Sequence, residues 1–244
     1  MSRTLSRVLV ALLLVLFAGA SASAEGWFGF DSSRKGSGNV VTESRDLKPF
    51  DRIESSGCFD IEVTVGGEQK ITVSFDDNLI ELIETEVKAN TLHIRARKSF
   101  SSRRGCRIEI TVPELVEVFA SGSGDISVTN LETERFEFGL SGSGDFFVQG
   151  KTHEMEISLS GSGDVTAEGQ TQGLEINLSG SGNISARDLK AEEVYVKISG
   201  SGDVKVFAEE SFDGTISGSG RIAYYGDPEH TSSRVSGSGR IRKR

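Results

Sequence analysis

Asp125, Asp145, Asp164 and Asp203, with Asn183 among them, recur at intervals near 19 residues and could do two kinds of chemistry. A row of stacked carboxylates could hold calcium, as the calcium-binding nonapeptide repeats do. Alternatively, each side chain could accept hydrogen bonds from backbone N–H groups at a corner, the usual work of Asp and Asn in turns. The calcium pattern needs Gly-Gly-x-Gly-x-Asp about every nine residues. This chain has neither that order nor that period, and its row ends in Arg221 and Arg240, which would repel a cation. Like charges about 4.8 Å apart in water cost only about 1 kcal/mol before salt screens them, so an unmetallated acidic row is tolerable. The expectation is no metal and no cofactor.

Two serines precede each member of the row: Ser121 and Ser123, Ser141 and Ser143, Ser160 and Ser162, Ser179 and Ser181, Ser199 and Ser201. None sits on the strained elbow or beside the histidine that would make it a nucleophile. The three histidines fall at unrelated repeat positions, His93 outward on a strand and His153 and His230 in loops, with no metal-ligand spacing. Serines and acids together form a candidate outward polar stripe for binding. The alternative is a carbohydrate lyase or glycosidase, which needs unrepeated acids converging in a cleft. Here the acids repeat and the turns are short, so the expectation is no catalysis.

What must position this stripe is the sequence Ser-Gly-Ser-Gly, starting at Ser121, Ser141, Ser160, Ser179, Ser199, Ser217 and Ser236. The gaps of 20, 19, 19, 20, 18 and 19 residues mark stacked structural units. Counted from the first serine, offsets −5, −3, −1, +5 and +7 are apolar, as in Met155, Ile157, Leu159, Val165 and Ala167. All are odd, and the even offsets are polar. Period two is a strand with one buried face. Thirteen residues in one straight strand would span about 43 Å, too long for a compact coil, so the strand bends at its glycines. Each repeat therefore reads as strand, glycine corner, strand, loose turn and return. The predicted fold is all-β, a right-handed parallel β-helix with rungs of about 19 residues. Variable rung length and the usual crossover hand favour the right-handed form.

Around this array the chain divides simply. Residues 1–24, with Arg3, Arg7, an apolar run from Val8 to Ala18 and Ala22-Ser23-Ala24, read as a secretory signal peptide cut before Glu25. The apolar run is too short for a membrane span, and the mature chain has no integral membrane segment. Losing the leader removes two arginines and no acid, which takes the formal charge from −9 to −11 and argues against nucleic acid. Residues 25–36 read as a flexible leader and 37–244 as a single β-solenoid domain, irregular over 37–113 and regular over 114–244. Within the irregular part, Ser56-Gly57-Cys58-Phe59-Asp60-Ile61 is a cryptic rung. Residues 66–98 are expected as wider coils, with a capped helical turn or tight loop after Asp76-Asp77-Asn78. Ile108, Ile110 and Val112 should lead into the array. Cys58 and Cys106, an even pair in an exported chain, are expected to form a disulfide worth about 4 kcal/mol for its loop of about 48 residues. The basic end, Arg240 to Arg244, invites lipid phosphates or acidic glycans; the simpler expectation is charge that blunts an open last edge.

Taken together, Arg45-Asp46-Leu47-x-Pro49-Phe50-Asp51-x-Ile53, Ser56-Gly57-x-Phe59-Asp60-Ile61 and the Ser-Gly-Ser-Gly-Asp array resemble a bacterial family labelled putative auto-transporter adhesin, head GIN domain. The resemblance covers about residues 37–241. It implies an exported right-handed β-helix, and it carries over no catalytic residues. No C-terminal membrane barrel follows the array, so other machinery would have to bring the chain to the surface. The expected function is a non-catalytic envelope protein, adhesin-like or a scaffold, in the periplasm or at the cell surface. Its partner would be a glycan or an envelope protein, met through the stripe or through the sheet face bearing Glu156, Glu175 and Lys197.

Overall fold

Apolar–polar alternation with bending at glycine produces coils rather than flat sheets, and a computed structural model, which describes residues 33–244, shows how they stack. The N-terminal part contains β1 (Arg34–Lys35), β2 (Val40–Arg45), β3 (Arg52–Gly57), β4 (Phe59–Val65), β5 (Lys70–Asp76), a 3-10 turn (Ile80–Leu82), β6 (Ile83–Lys88), β7 (Thr91–Ala96), β8 (Phe100–Ser101) and β9 (Cys106–Val112). The array follows as β10 (Glu117–Gly122), β11 (Ile126–Gly142), β12 (Phe146–Gly161), β13 (Asp164–Gly180), β14 (Asn183–Gly200), β15 (Asp203–Gly218), β16 (Arg221–Tyr225), β17 (His230–Gly237) and β18 (Arg240–Lys243). From β10 onward every pairing is parallel, each coil on the next. The architecture is a β-solenoid, as the 19-residue period requires. The signal peptide and most of the predicted leader lie outside the described residues.

Register keeps equivalent residues in vertical rows. Leu140, Leu159, Leu178, Ile198 and Ile216 stack in one inward row, and Phe146, Val165, Ile184, Val204 and Ile222 in another. All are essentially buried. At about 1.5–3 kcal/mol for each fully buried large side chain, these rows are the main favourable term in folding. Phe138 and Phe146 stack inside at 3.4 Å between ring centres.

The return of each coil is not the loose turn expected. β11 to β15 run unbroken for 16 to 18 residues, and the only breaks in each coil fall at the glycine corner. In a parallel stack the backbone pairs with coils above and below, so the chain can bend without leaving the ladder. Rung-length variation is absorbed by bulges, mostly close to offset +7, with a second shift in β14 between Ala191 and Glu193. One extra residue sits between Val128 and Leu131, where Asn130 takes a φ of 58°, and three sit between Ala186 and Lys190.

Glycine is required at the corner by the neighbouring coil. At Gly180, φ is +147° and a Cβ would lie 2.3 Å from the carbonyl oxygen of Gly161 directly beneath. No side chain fits there.

The N-terminal region corrects several expectations. β3 and β4 form the cryptic rung, but it is sandwiched: β10 and β11 pair on one side, β7 and β9 on the other. Ile108–Val112 therefore does not lead into the array. It lies on the far side of β4, and the chain crosses back over the first rung to start β10. Residues 66–98 are not wider coils either. β5 runs antiparallel to β9 and β2 antiparallel to β5, while β6 forms an antiparallel pair with β7. The antiparallel strands take up the N-terminal edge of the stack and leave β2 and β6 outermost. The end of the predicted leader is ordered too, since β1 pairs with β8 and the Gly36 N–H donates to the Ser101 carbonyl.

Candidate functional site

The serine–acid stripe forms in register. Ser56, Ser121, Ser141, Ser160, Ser179, Ser199, Ser217 and Ser236 stand one above another, with the acids in a second row just past the glycine corner. Of the candidate stripe residues, Ser121 and Asp203 are half-buried and the others exposed. The acids form a hydrogen-bonded ladder. The N–H of Asp145 donates to Asp125 Oδ1 at 3.0 Å, that of Asp164 to Asp145 Oδ1 at 3.1 Å, and that of Asn183 to Asp164 Oδ1 at 3.1 Å. Asp60 of the cryptic rung starts the ladder by accepting from Asp125. Asn183 adds its Nδ2 to Asp164, and Arg221 closes the row with a two-pronged ion pair on Asp203. Asp125, Asp145 and Asp164 thus each spend Oδ1 on the next coil and keep Oδ2 free of side-chain partners, whereas both oxygens of Asp203 are held by Arg221. The result is a row of hydroxyls and acceptors about 4.8 Å apart, suited to a partner with repeating donors.

A second outward face carries Glu117, Glu137, Glu156 and Glu175 in one row, continued by Tyr195, with Lys197 in the adjoining row. Arg135 reaches Glu154 at 3.2 Å and Glu156 at 3.6 Å. Burial, then the flanking Glu137 and Glu175, push Glu156 above its ordinary pKa of 4.5, and Arg135 only partly offsets them. The folded chain therefore binds this proton more readily than the unfolded chain. The group favours folding below pH 4.5, and that contribution is lost as pH rises through the raised value. Glu156→Gln is expected to raise the melting temperature at pH 7 and to match the wild type below pH 4.5, as read by calorimetry across pH.

The histidines stand apart. His93 Nδ1 lies 3.0 Å from Glu54 on the outer face. His153 and His230 belong to strands β12 and β17, not to the loops expected, because the returns are strand-paired. Behind His153, Thr152 donates to Thr171 in a buried hydroxyl pair that lines a shallow groove with Lys151, Gln170 and Lys190. The sequence hinted at this only through threonines one rung apart.

Register brings the two cysteines close, since Cys106 is the strand partner of Phe59, the residue after Cys58. Both are free thiols in the structure, Cys58 exposed and Cys106 buried, so the expected bridge is not present in it. Burial first, then Cys58 and Asp60, push the Cys106 thiol up to about 12, which leaves almost no thiolate to react. Reduced native protein should take one alkyl group, on Cys58. If the chain is oxidised after export, two groups should appear only after reduction and unfolding, as read by intact mass. Two groups on unfolded protein without reductant would rule the bridge out.

The sequence also concealed a polar knot at the N-terminal end. Asp76 is 1% exposed and accepts from the Gly38 N–H and the Ser102 hydroxyl. Asp77 accepts from Ser37 and Asn39, and Asn78 bridges the Ser37 N–H to the Lys35 carbonyl. The expected turn carries this knot, and no side-chain cap closes its 3-10 segment. Among the described residues, no helix is long and apolar enough to cross a membrane.

Comparison with known proteins fits this geometry. Residues 49–228 match the model of the family described as "Putative auto-transporter adhesin, head GIN domain". A solved putative adhesin from Bacteroides fragilis is 30% identical, with a TM-score of 0.82 over 86% of this chain and 99% of that one. A putative lipid binding protein from Parabacteroides distasonis is 28% identical, with a TM-score of 0.69 over 87% of this chain and 100% of that one. A putative adhesin from Parabacteroides merdae, 22% identical, shares the fold with a TM-score of 0.65 over 86% and 98%. No curated protein matches.

Proposed function

The chain belongs to the putative auto-transporter adhesin, head GIN domain family, and from that footing we propose that it is an exported, non-catalytic envelope protein whose serine–acid stripe holds a glycan. The observation that carries this reading is the ladder itself. Ser141, Ser160, Ser179 and Ser199 repeat in register, followed on their own rungs by Asp145, Asp164, Asn183 and the Arg221-paired Asp203, so a polymer of repeating hydroxyls meets a hydroxyl and a side-chain acceptor at each successive coil. The core runs without interruption from Phe50 to Ile222, which supports residues 37–244 acting as one rigid domain. The leader supports export, and the family supports a surface role. Binding to a glycan array tests the reading, with Ser162→Arg/Ser181→Arg as the variant. Both serines are exposed, so the fold should survive. The expected result is wild-type binding to a hydroxyl-rich glycan, reduced at least about tenfold in the variant by two obstructed coils. Equal binding by the two proteins would remove the stripe from the interface.

A further inference from the structure

Three coils at the C-terminal end of the stripe's sheet carry a different surface. In register, Asp203 lies beneath Arg221 and Arg240, Lys205 beneath Ala223 and Arg242, and Phe207 beneath Tyr225. Ala223 is the one small residue in the middle. It floors a depression of about 560 Å³ walled by Lys205, Arg221, Arg240, Arg242 and Tyr225. That volume is within the range of small-molecule sites, roughly 300–1,000 Å³.

Charge in this depression is only partly spent internally, on Asp203, which also lines it. Arg221 is paired with Asp203, but Arg240 and Arg242 make no ion pair among the described residues, and both are exposed on the sheet face. Charge that served only to blunt an edge would have no need of a hollow between its members. Although the chain is acidic overall, charges beyond about 8 Å are screened at physiological salt, so the local guanidinium groups decide what binds. Guanidinium matches carboxylate in a two-pronged geometry. Tyr225, with Arg187 at 4.5 Å from its ring centre, supplies an aromatic wall. The other apolar lining residues, Val204 and Ile222, are buried beneath the face, so nothing greasy projects into a bilayer as membrane-surface binding requires.

We propose that this depression seats the carboxylate of an acid-terminated glycan, while the serine–acid stripe below takes the neutral sugars that follow. The inference rests on the glycan-holding reading above and adds the class of ligand and the end that is recognised. A uniformly charged polymer is disfavoured, because Asp125, Asp145 and Asp164 would repel it along the same row.

The test is binding of the full chain to immobilised glycans ending in sialic or glucuronic acid, beside the same chains ending in a neutral sugar. Phosphatidylglycerol vesicles are a separate arm. The variants are Ala223→Glu, which fills the hollow with opposite charge, Arg240→Gln/Arg242→Gln, and the control Lys151→Gln in the distant groove. The expected result is a preference of at least about tenfold for the acid-terminated chains, lost in the first two variants and unchanged in the control. Should Ala223→Glu fail to fold, the exposed arginine pair gives the same readout. No preference for acid termini, preference unchanged by the arginine pair, or vesicle binding that depends on those arginines without glycan binding would each overturn the inference. If neutral chains still bind through the stripe, only the acid-terminus inference fails. If no glycan binds at all, the parent reading fails with it.

Discussion

Gly180→Ala is expected to destabilise the protein by about 3 kcal/mol or more, while Ser179→Ala, one residue away, changes stability by about 0.5 kcal/mol or less. Two costs add at Gly180. Its φ of +147° lies where side-chain-bearing residues are strained, and the new Cβ would stand 2.3 Å from the carbonyl oxygen of Gly161. Relief would require separating two coils, which breaks ladder hydrogen bonds and opens the inward row of Leu159, Leu178 and Ile198. Ser179 is exposed and meets solvent. Urea midpoints of the two variants and the wild type measure the difference. Equal midpoints would mean that the corner does not need glycine, and the stacking account would fail at its base.

Asp76→Ala carries the second large effect, a loss of about 3 kcal/mol with early release of the N-terminal segment. Asp76 is buried and accepts from the Gly38 N–H and Ser102, and Gly36 packs so closely that a Cβ would meet its carboxylate at 1.9 Å. Without the carboxylate, the Gly38 N–H and the Ser102 hydroxyl lose a charged acceptor, and the segment before β2 loses the buried part of its attachment. Limited proteolysis should then cut near residues 33–39 before global unfolding. Asp76→Asn, which keeps an acceptor, should recover part of the loss. If Asp76→Ala were cut no faster than wild type, the knot would not be what holds this segment.

The array was legible because one mechanism repeats. From β10 to β15 the apolar odd offsets are buried and most even offsets are not, so Met155, Ile157 and Leu159 tell the same story as Leu174, Ile176 and Leu178. The N-terminal end was not legible, because alternation specifies which face is buried and says nothing about strand direction. Ile71, Val73 and Phe75 alternate just as a parallel rung would, yet β5 runs antiparallel to β9. Order in the stack is equally silent, and the return of the chain across the cryptic rung to begin β10 leaves no mark in composition. Polar returns such as Lys151–Glu154 look like loops, although the coils on either side hold them in strand. Site geometry divides along similar lines. The stripe is periodic and could be read directly, including the backbone N–H bonding of its acids. The depression around Ala223 depends on three coils at once, so Arg240 and Arg242 looked like an edge device until register placed a hollow between them and Arg221.

Site-specific photo-cross-linking in cells tests the central claim most directly. A photoreactive residue at Ser162 or Ser181 samples the stripe, and one at Gln172 or Glu192 samples the groove beside Thr171, with all four positions exposed. A glycan-holding stripe predicts slow-migrating, glycosidase-sensitive adducts from 162 and 181 and none from 172 and 192. Adducts confined to 172 and 192, or their absence from all four positions, would contradict it.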